Sequence, residues 1–151
     1  MIKEGLEIFL REGPALLRFF IPVPKGRREA IGGSWVGDAT TFAVEDDSEG
    51  RPFTMHMDFT AGRRKKVTGD AIVVGIEGRP DQIPLQLVGG FFHDDYLQFV
   101  YKSKREEFMQ FGVLMLKMNP KGNEMVGHYA GFSPFRETKP LIHGRVNLKK
   151  G

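Results

Sequence analysis

Four histidines, His56, His93, His128 and His143, are the obvious candidates for acid–base work or metal binding in this chain. No two of them stand at H-x-H or H-x-x-x-H spacing, and the chain has no Cys, so the donor set of a structural zinc site is missing. Asp46, Asp47 and Glu49 crowd into one acidic turn without the alternating ligands of a calcium loop. Gly75-Ile76-Glu77-Gly78 and Gly89-Gly90 are not a dinucleotide fingerprint, and no phosphate loop or nucleophile elbow occurs. These glycines read as turns or strand bulges. The pattern therefore assigns no catalytic residue, no metal and no cofactor.

Three clusters remain. His128 is predicted to share a barrel's inner face with Tyr101. There it is either a hydrogen-bonded core pair or a pair that orients a ligand in an apolar cavity. The ligand reading adds Trp35, Phe99 and Phe111 as lining. The same pair could serve a small isomerase or lyase, although no carboxylate partner can be placed beside it. Arg63, Arg64, Lys65 and Lys66 form a run of four cations. It is either a solvated hairpin tip or a phosphate-binding edge for a nucleotide or cyclic oligonucleotide. Tyr96, Phe99, Tyr101, Lys102, Lys104 and Arg105 interleave aromatic and basic side chains, as single-stranded nucleic acid requires. Their aromatics alternate faces, however, so core on one side and solvated turn on the other is the simpler reading.

The elements that must hold these residues follow from periodicity. Residues 3–20 carry helix-spaced Leu6, Phe9, Leu10, Leu16, Leu17 and Phe20, split by Gly13-Pro14. Pro22 and Pro24 end that pattern. Residues 1–24 are thus expected as an N-terminal helical segment, and 25–32 as a basic linker. From Gly33 the period is two. Phe53, Met55, Met57 and Phe59 alternate with Thr54, His56, Asp58 and Thr60. Further strands are expected at 34–44, 65–77, 83–91, 95–102, 108–117, 124–132 and 140–149. Eight short strands with tight turns predict a mainly β domain over 33–151, an antiparallel up-and-down barrel, since closure removes exposed edges.

Strand faces follow from the hairpins. Pairing Tyr101 with Met109, Lys117 with Glu124 and Phe132 with Pro140 collects Leu97, Phe99, Tyr101, Phe111, Val113, Met115, Val126, Ala130, Phe132, Ile142, Val146 and Leu148 on one interior. Val100, Leu114, Leu116 and Met125 are then expected outside. There they form a patch for the N-terminal stripe or for a second copy of the chain. A one-residue slip in any turn would reverse these faces.

The composition suits one globular domain: 151 residues, 40% hydrophobic and 27% charged, with 13 Phe and 7 Met to fill a core and a net charge of +3. Acidic residues interrupt the N-terminal apolar run, and no stretch approaches the roughly 20 apolar residues of a membrane span. With no Cys, a cytoplasmic location is expected.

Gly33-Ser34-Trp35 resembles the Gly-x-Trp that opens the first barrel strand of the calycins, the group of lipocalins, fatty-acid-binding proteins and avidins. The resemblance implies that Trp35 plugs one barrel end under a cation from a late strand, Arg145 or Lys149. The chain departs from lipocalins in having no helix after Lys149. It departs from fatty-acid-binding proteins in having a short turn between its first two strands. A looser likeness is to the β-barrel sensor domains of bacterial antiphage effectors. The expected function is a non-catalytic barrel that binds a small, partly apolar ligand or acts as a sensing module. The alternatives are nucleotide binding at the basic turn and a barrel isomerase or lyase.

Overall fold

The computed structural model describes residues 23–43, 50, 52–75, 82–93, 95–107, 110–133 and 141–151. Helix α1 (Lys25–Ile31) precedes eight strands: β1 (Gly33–Ala43), β2 (Phe53–Ala61), β3 (Lys66–Val74), β4 (Ile83–His93), β5 (Tyr96–Ser103), β6 (Phe111–Met118), β7 (Glu124–Phe132) and β8 (Leu141–Lys150). Each strand pairs antiparallel with the next, and β1 also pairs with β8, which closes the barrel. The eight-stranded up-and-down barrel expected from the period-two pattern is thus the architecture. The N-terminal stripe at residues 3–20 lies outside the described residues.

Residues 25–32, expected as a linker, instead hold α1. The carbonyl of Pro24 accepts from the amides of Arg27 and Arg28 at 3.0 and 3.2 Å. Arg, Glu and Ala then carry the turn onward as good helix formers. The helix seals one barrel end. Ile31 is fully buried. Arg27 pairs with Asp95 at 2.8 Å and donates to the carbonyl of Asn119 at 2.9 Å. Arg28 donates to the carbonyl of Gly62.

Trp35 fills the same end. It has no exposed surface, and its indole N–H donates to the carbonyl of Ile31 at 2.9 Å. The ammonium of Lys150 sits 5.3 Å from the ring centroid. The expected partners were Arg145 or Lys149. Lys150 takes the place because it is the direct cross-strand partner of Trp35, whereas Lys149 opposes Val36 and points away. Arg145 lies instead over the Phe42 ring, at 5.3 Å.

The inner face of β2 is as predicted, with Met55, Met57 and Phe59 buried between exposed His56, Asp58 and Thr60. The inner faces of β5 and β8 are also as predicted, but those of β6 and β7 are reversed. Leu114, Leu116, Met118, Met125 and Tyr129 are buried, while Phe111, Val113, Met115, Val126 and Phe132 are exposed. The reversal comes from two turns. Tyr101 opposes Gly112 rather than Met109, an odd shift that turns β6 over. Lys117 opposes Val126 rather than Glu124, an even shift that carries the reversal into β7. Phe132 opposes Leu141 rather than Pro140, a second odd shift that restores β8.

Candidate functional site

The reversal separates the residues that sequence brought together. Tyr101, Phe99 and Trp35 point inward and are buried. His128 and Phe111 point outward and are exposed, Phe111 by 44%. His128 therefore stands across the barrel wall from Tyr101, and the two cannot act on one substrate. The enzyme reading that paired them loses its geometry.

Inside the barrel, away from α1, a cavity is lined by Met55, Met57, Leu85, Leu114, Tyr101, Tyr129 and Gln110. Its volume is about 30 Å³. A water-sized group needs on the order of 10–15 Å³, so one or two fit and a larger molecule requires side chains to move. Met55 and Met57 are unbranched thioethers and the natural ones to give way. The rest of the interior is filled by side chains, as small barrels commonly are.

Two tyrosines share the cavity's polar character with Gln110, and glycines make room for them. Tyr101 shares a cross-strand row with Gly112 and Gly131. A Cβ on either glycine would come within 2.6 Å of its hydroxyl. Tyr129 lies over Gly144, where a Cβ would meet its ring at 2.3 Å. The Tyr129 hydroxyl is hydrogen-bonded to Thr41 Oγ1. Burial pushes the Tyr101 phenol well above its ordinary pKa, and the neighbouring Tyr129 adds to the rise. The group is thus a neutral hydroxyl. Gln110 is 8% exposed, and its side-chain Oε1 is buried without a hydrogen-bond partner. A buried amide oxygen in that state costs about 1–3 kcal/mol unless a donor reaches it.

Sequence reasoning missed Gln110, Tyr129 and Thr41. The available signal was the run of glycines at 112, 131 and 144, small residues set opposite large ones along barrel rows.

Outside, a groove of about 630 Å³ crosses β1, β8, β7 and β6, bounded by Asp38, Thr40, Met115, His128, Arg145 and Asn147. His128 stands directly between Met115 and Arg145 in the register.

Of the four cations at 63–66, Arg63, Arg64 and Lys65 lie in the β2–β3 turn and Lys66 opens β3; Arg64 adopts a left-handed φ of 55°. Arg63, Arg64 and Lys66 are exposed, and none of the four lines the cavity or the groove. The aromatics of β5 also divide. Tyr96 faces out beneath Lys117, 5.4 Å from its ring, while Phe99 and Tyr101 face in, so they share no stacking surface. Lys104 pairs with Asp70, and Arg105 with Glu107. Among the described residues no three His, Asp or Glu side chains gather as a metal site, and no helix is long and apolar enough to cross a membrane.

No protein-family model and no curated protein matches the chain. Solved structures do. A redesigned β-barrel superposes with a TM-score of 0.53 at 13% identity, covering 83% of this chain and 95% of that one. Rv2717c from M. tuberculosis superposes with a TM-score of 0.51 at 9% identity, covering 85% and 99%. The likeness is one of fold. At such identities it transfers the barrel and no activity.

Proposed function

We propose that this protein is a non-catalytic binding barrel for a small, partly apolar molecule whose polar head donates a hydrogen bond to Gln110. The observation that carries the reading is the Gln110 Oε1, buried and unpartnered in the wall of a mostly apolar cavity. An N–H or O–H head group would relieve that oxygen, and the neutral Tyr101 hydroxyl is near enough to the same cavity to orient it. The apolar body would lie against Met55 and Leu85, with the methionines shifting to admit it. The calycin resemblance at Gly33 and Trp35 supports the reading by analogy, because Trp35 closes one end and leaves the polar groups toward the other.

Native mass spectrometry of the purified protein should reveal a co-purified small molecule. A panel of small alcohols, amides and amines bearing apolar tails should raise the melting temperature saturably. Gln110→Leu should abolish that rise while leaving the unliganded protein at least as stable, since it removes the orphaned oxygen. The reading fails if no compound shifts the melting temperature and no mass is carried through purification. It fails equally if Gln110→Leu binds as the parent does.

A further inference from the structure

The outer groove is built from two parallel rows of side chains, and the strand register shows which. One bank is Arg145, His128 and Met115, direct neighbours across β8, β7 and β6. The other is Asp38, Asn147, Val126, Lys117 and Tyr96, in register from β1 to β5. Between the banks, Val146, Gly127 and Leu116 form the next row and give the groove its floor. The banks stand two residues apart along each strand, about 7 Å, and the longer one crosses four strand spacings, about 19 Å. The groove is thus a long slot. Its volume of about 630 Å³ is that of a small-molecule site, which the interior cavity of about 30 Å³ is not.

The slot is polar at one place and apolar beside it. Arg145 and Asn147 flank Val146 on β8, and His128 adjoins Arg145 on β7. Three groups able to donate hydrogen bonds therefore surround one stretch of the floor. Next along the slot, Val126 and Met115 are 52% and 55% exposed. Lys117 and Tyr96 close that end. Among the described residues neither Arg145 nor Lys117 has a carboxylate in ion-pair range. Arg145 lies over the Phe42 ring and Lys117 over the Tyr96 ring. A ring face attracts a cation without neutralising it, so both charges stay open to an anion.

We propose that this slot is a second binding site, for a small organic oxyanion: a carboxylate or phosphate ester with a flat apolar body. Arg145, His128 and Asn147 hold the head group, the guanidinium supplying paired donors. The body lies over Val126 and Met115 toward Tyr96. Asp38, diagonal to Arg145 across β1 and β8, repels further negative charge at its end and so directs the body toward β5. The inference does not depend on the Gln110 reading, because slot and cavity lie on opposite sides of the barrel wall.

Proton NMR tests it, because the chain has only 4 His and the His128→Gln variant identifies the His128 ring signal. The probes are naphthoate and naphthyl phosphate. Naphthalenemethanol is the neutral match, and acetate and inorganic phosphate are heads without a body. At millimolar concentration one or both naphthyl anions should shift the His128 signal saturably, and the tighter of the two tells carboxylate from phosphate ester. The alcohol, acetate and phosphate should not shift it. Arg145→Gln should weaken binding at least about tenfold, the loss of a charge-assisted hydrogen bond. Asp38→Asn should tighten binding, and Gln110→Leu should leave it unchanged. No saturable shift from either naphthyl anion would overturn the proposal. So would equal binding of the alcohol or of the bare anions, which would make the slot a plain apolar face or a plain cluster of charge. Loss of binding in Gln110→Leu would place the probe inside the barrel and overturn it too. An Arg145→Gln variant that binds as the parent does has the same force. Should that variant misfold, Asp38→Asn decides alone, and unchanged or weaker binding there counts against the proposal.

Discussion

Tyr101 illustrates how a single buried hydroxyl links the candidate site to stability. Its phenol is held protonated well above the ordinary value by burial and by Tyr129. In the unfolded chain a tyrosine loses its proton near pH 10. The folded state therefore binds more protons than the unfolded one above that pH. The associated stability is fully present below about pH 10 and is lost as pH rises past it. The melting temperature should fall between pH 10 and 12 more steeply than that of Tyr101→Phe. In an ultraviolet titration the Tyr101 phenolate should appear only with unfolding, and Tyr101→Phe should remove that late step. The amplitude of the folded protein near pH 10 should be unchanged by Tyr101→Phe, whereas a loss of amplitude there would mean the Tyr101 site is wet.

At the scale of the element, two glycines in different surroundings should respond to alanine with opposite signs. Gly26 stands in α1 with nothing near its missing Cβ. Gly26→Ala should stabilise by about 0.5–1 kcal/mol through helix propensity. Gly131 lies where β7 approaches β6, and a Cβ there would fall 2.3 Å from the Phe111 carbonyl oxygen and 2.6 Å from the Tyr101 hydroxyl. Gly131→Ala must spread the strands or displace Tyr101 and should cost about 1–3 kcal/mol. Urea unfolding of the two variants gives both signs. The same pairing explains why the β6 and β7 faces were misread. Both sides of these strands are apolar, with Leu114 and Leu116 against Val113 and Met115, so alternation alone carries no direction. The glycines decide it, because only a row with Gly112 and Gly131 leaves space for Tyr101.

The whole molecule depends on how its ends are closed. Trp35 joins α1, β1 and β8 through its bond to Ile31 and the Lys150 ammonium above its ring. Trp35→Ala should destabilise by about 3–5 kcal/mol, the range for a fully buried large aromatic. Lys150→Met should cost nearer 0.5–1 kcal/mol, as an exposed cation–π contact would. Circular dichroism in urea follows both variants, and Lys150→Met should also shift the emission of Trp35, the chain's one tryptophan. If Trp35→Ala proved nearly neutral, the plug would not be what closes this end.

By itself the sequence determined the strand count, the meander and the inner faces of β2, β5 and β8. Those follow from local alternation and from turns rich in Gly, Asp and Asn, which act over a few residues. It also marked Trp35 as a buried plug through its Gly-x-Trp setting. Only the tertiary structure decided which side of β6 and β7 is inside. That choice rests on the register of two turns, where a shift by an odd number of residues exchanges every side chain. His128 was thereby moved to an outer groove, and Tyr129 and Gln110 were brought to Tyr101. Register is set by what fits within the closed barrel, a constraint among residues far apart in the chain, and alternation within one strand cannot express it.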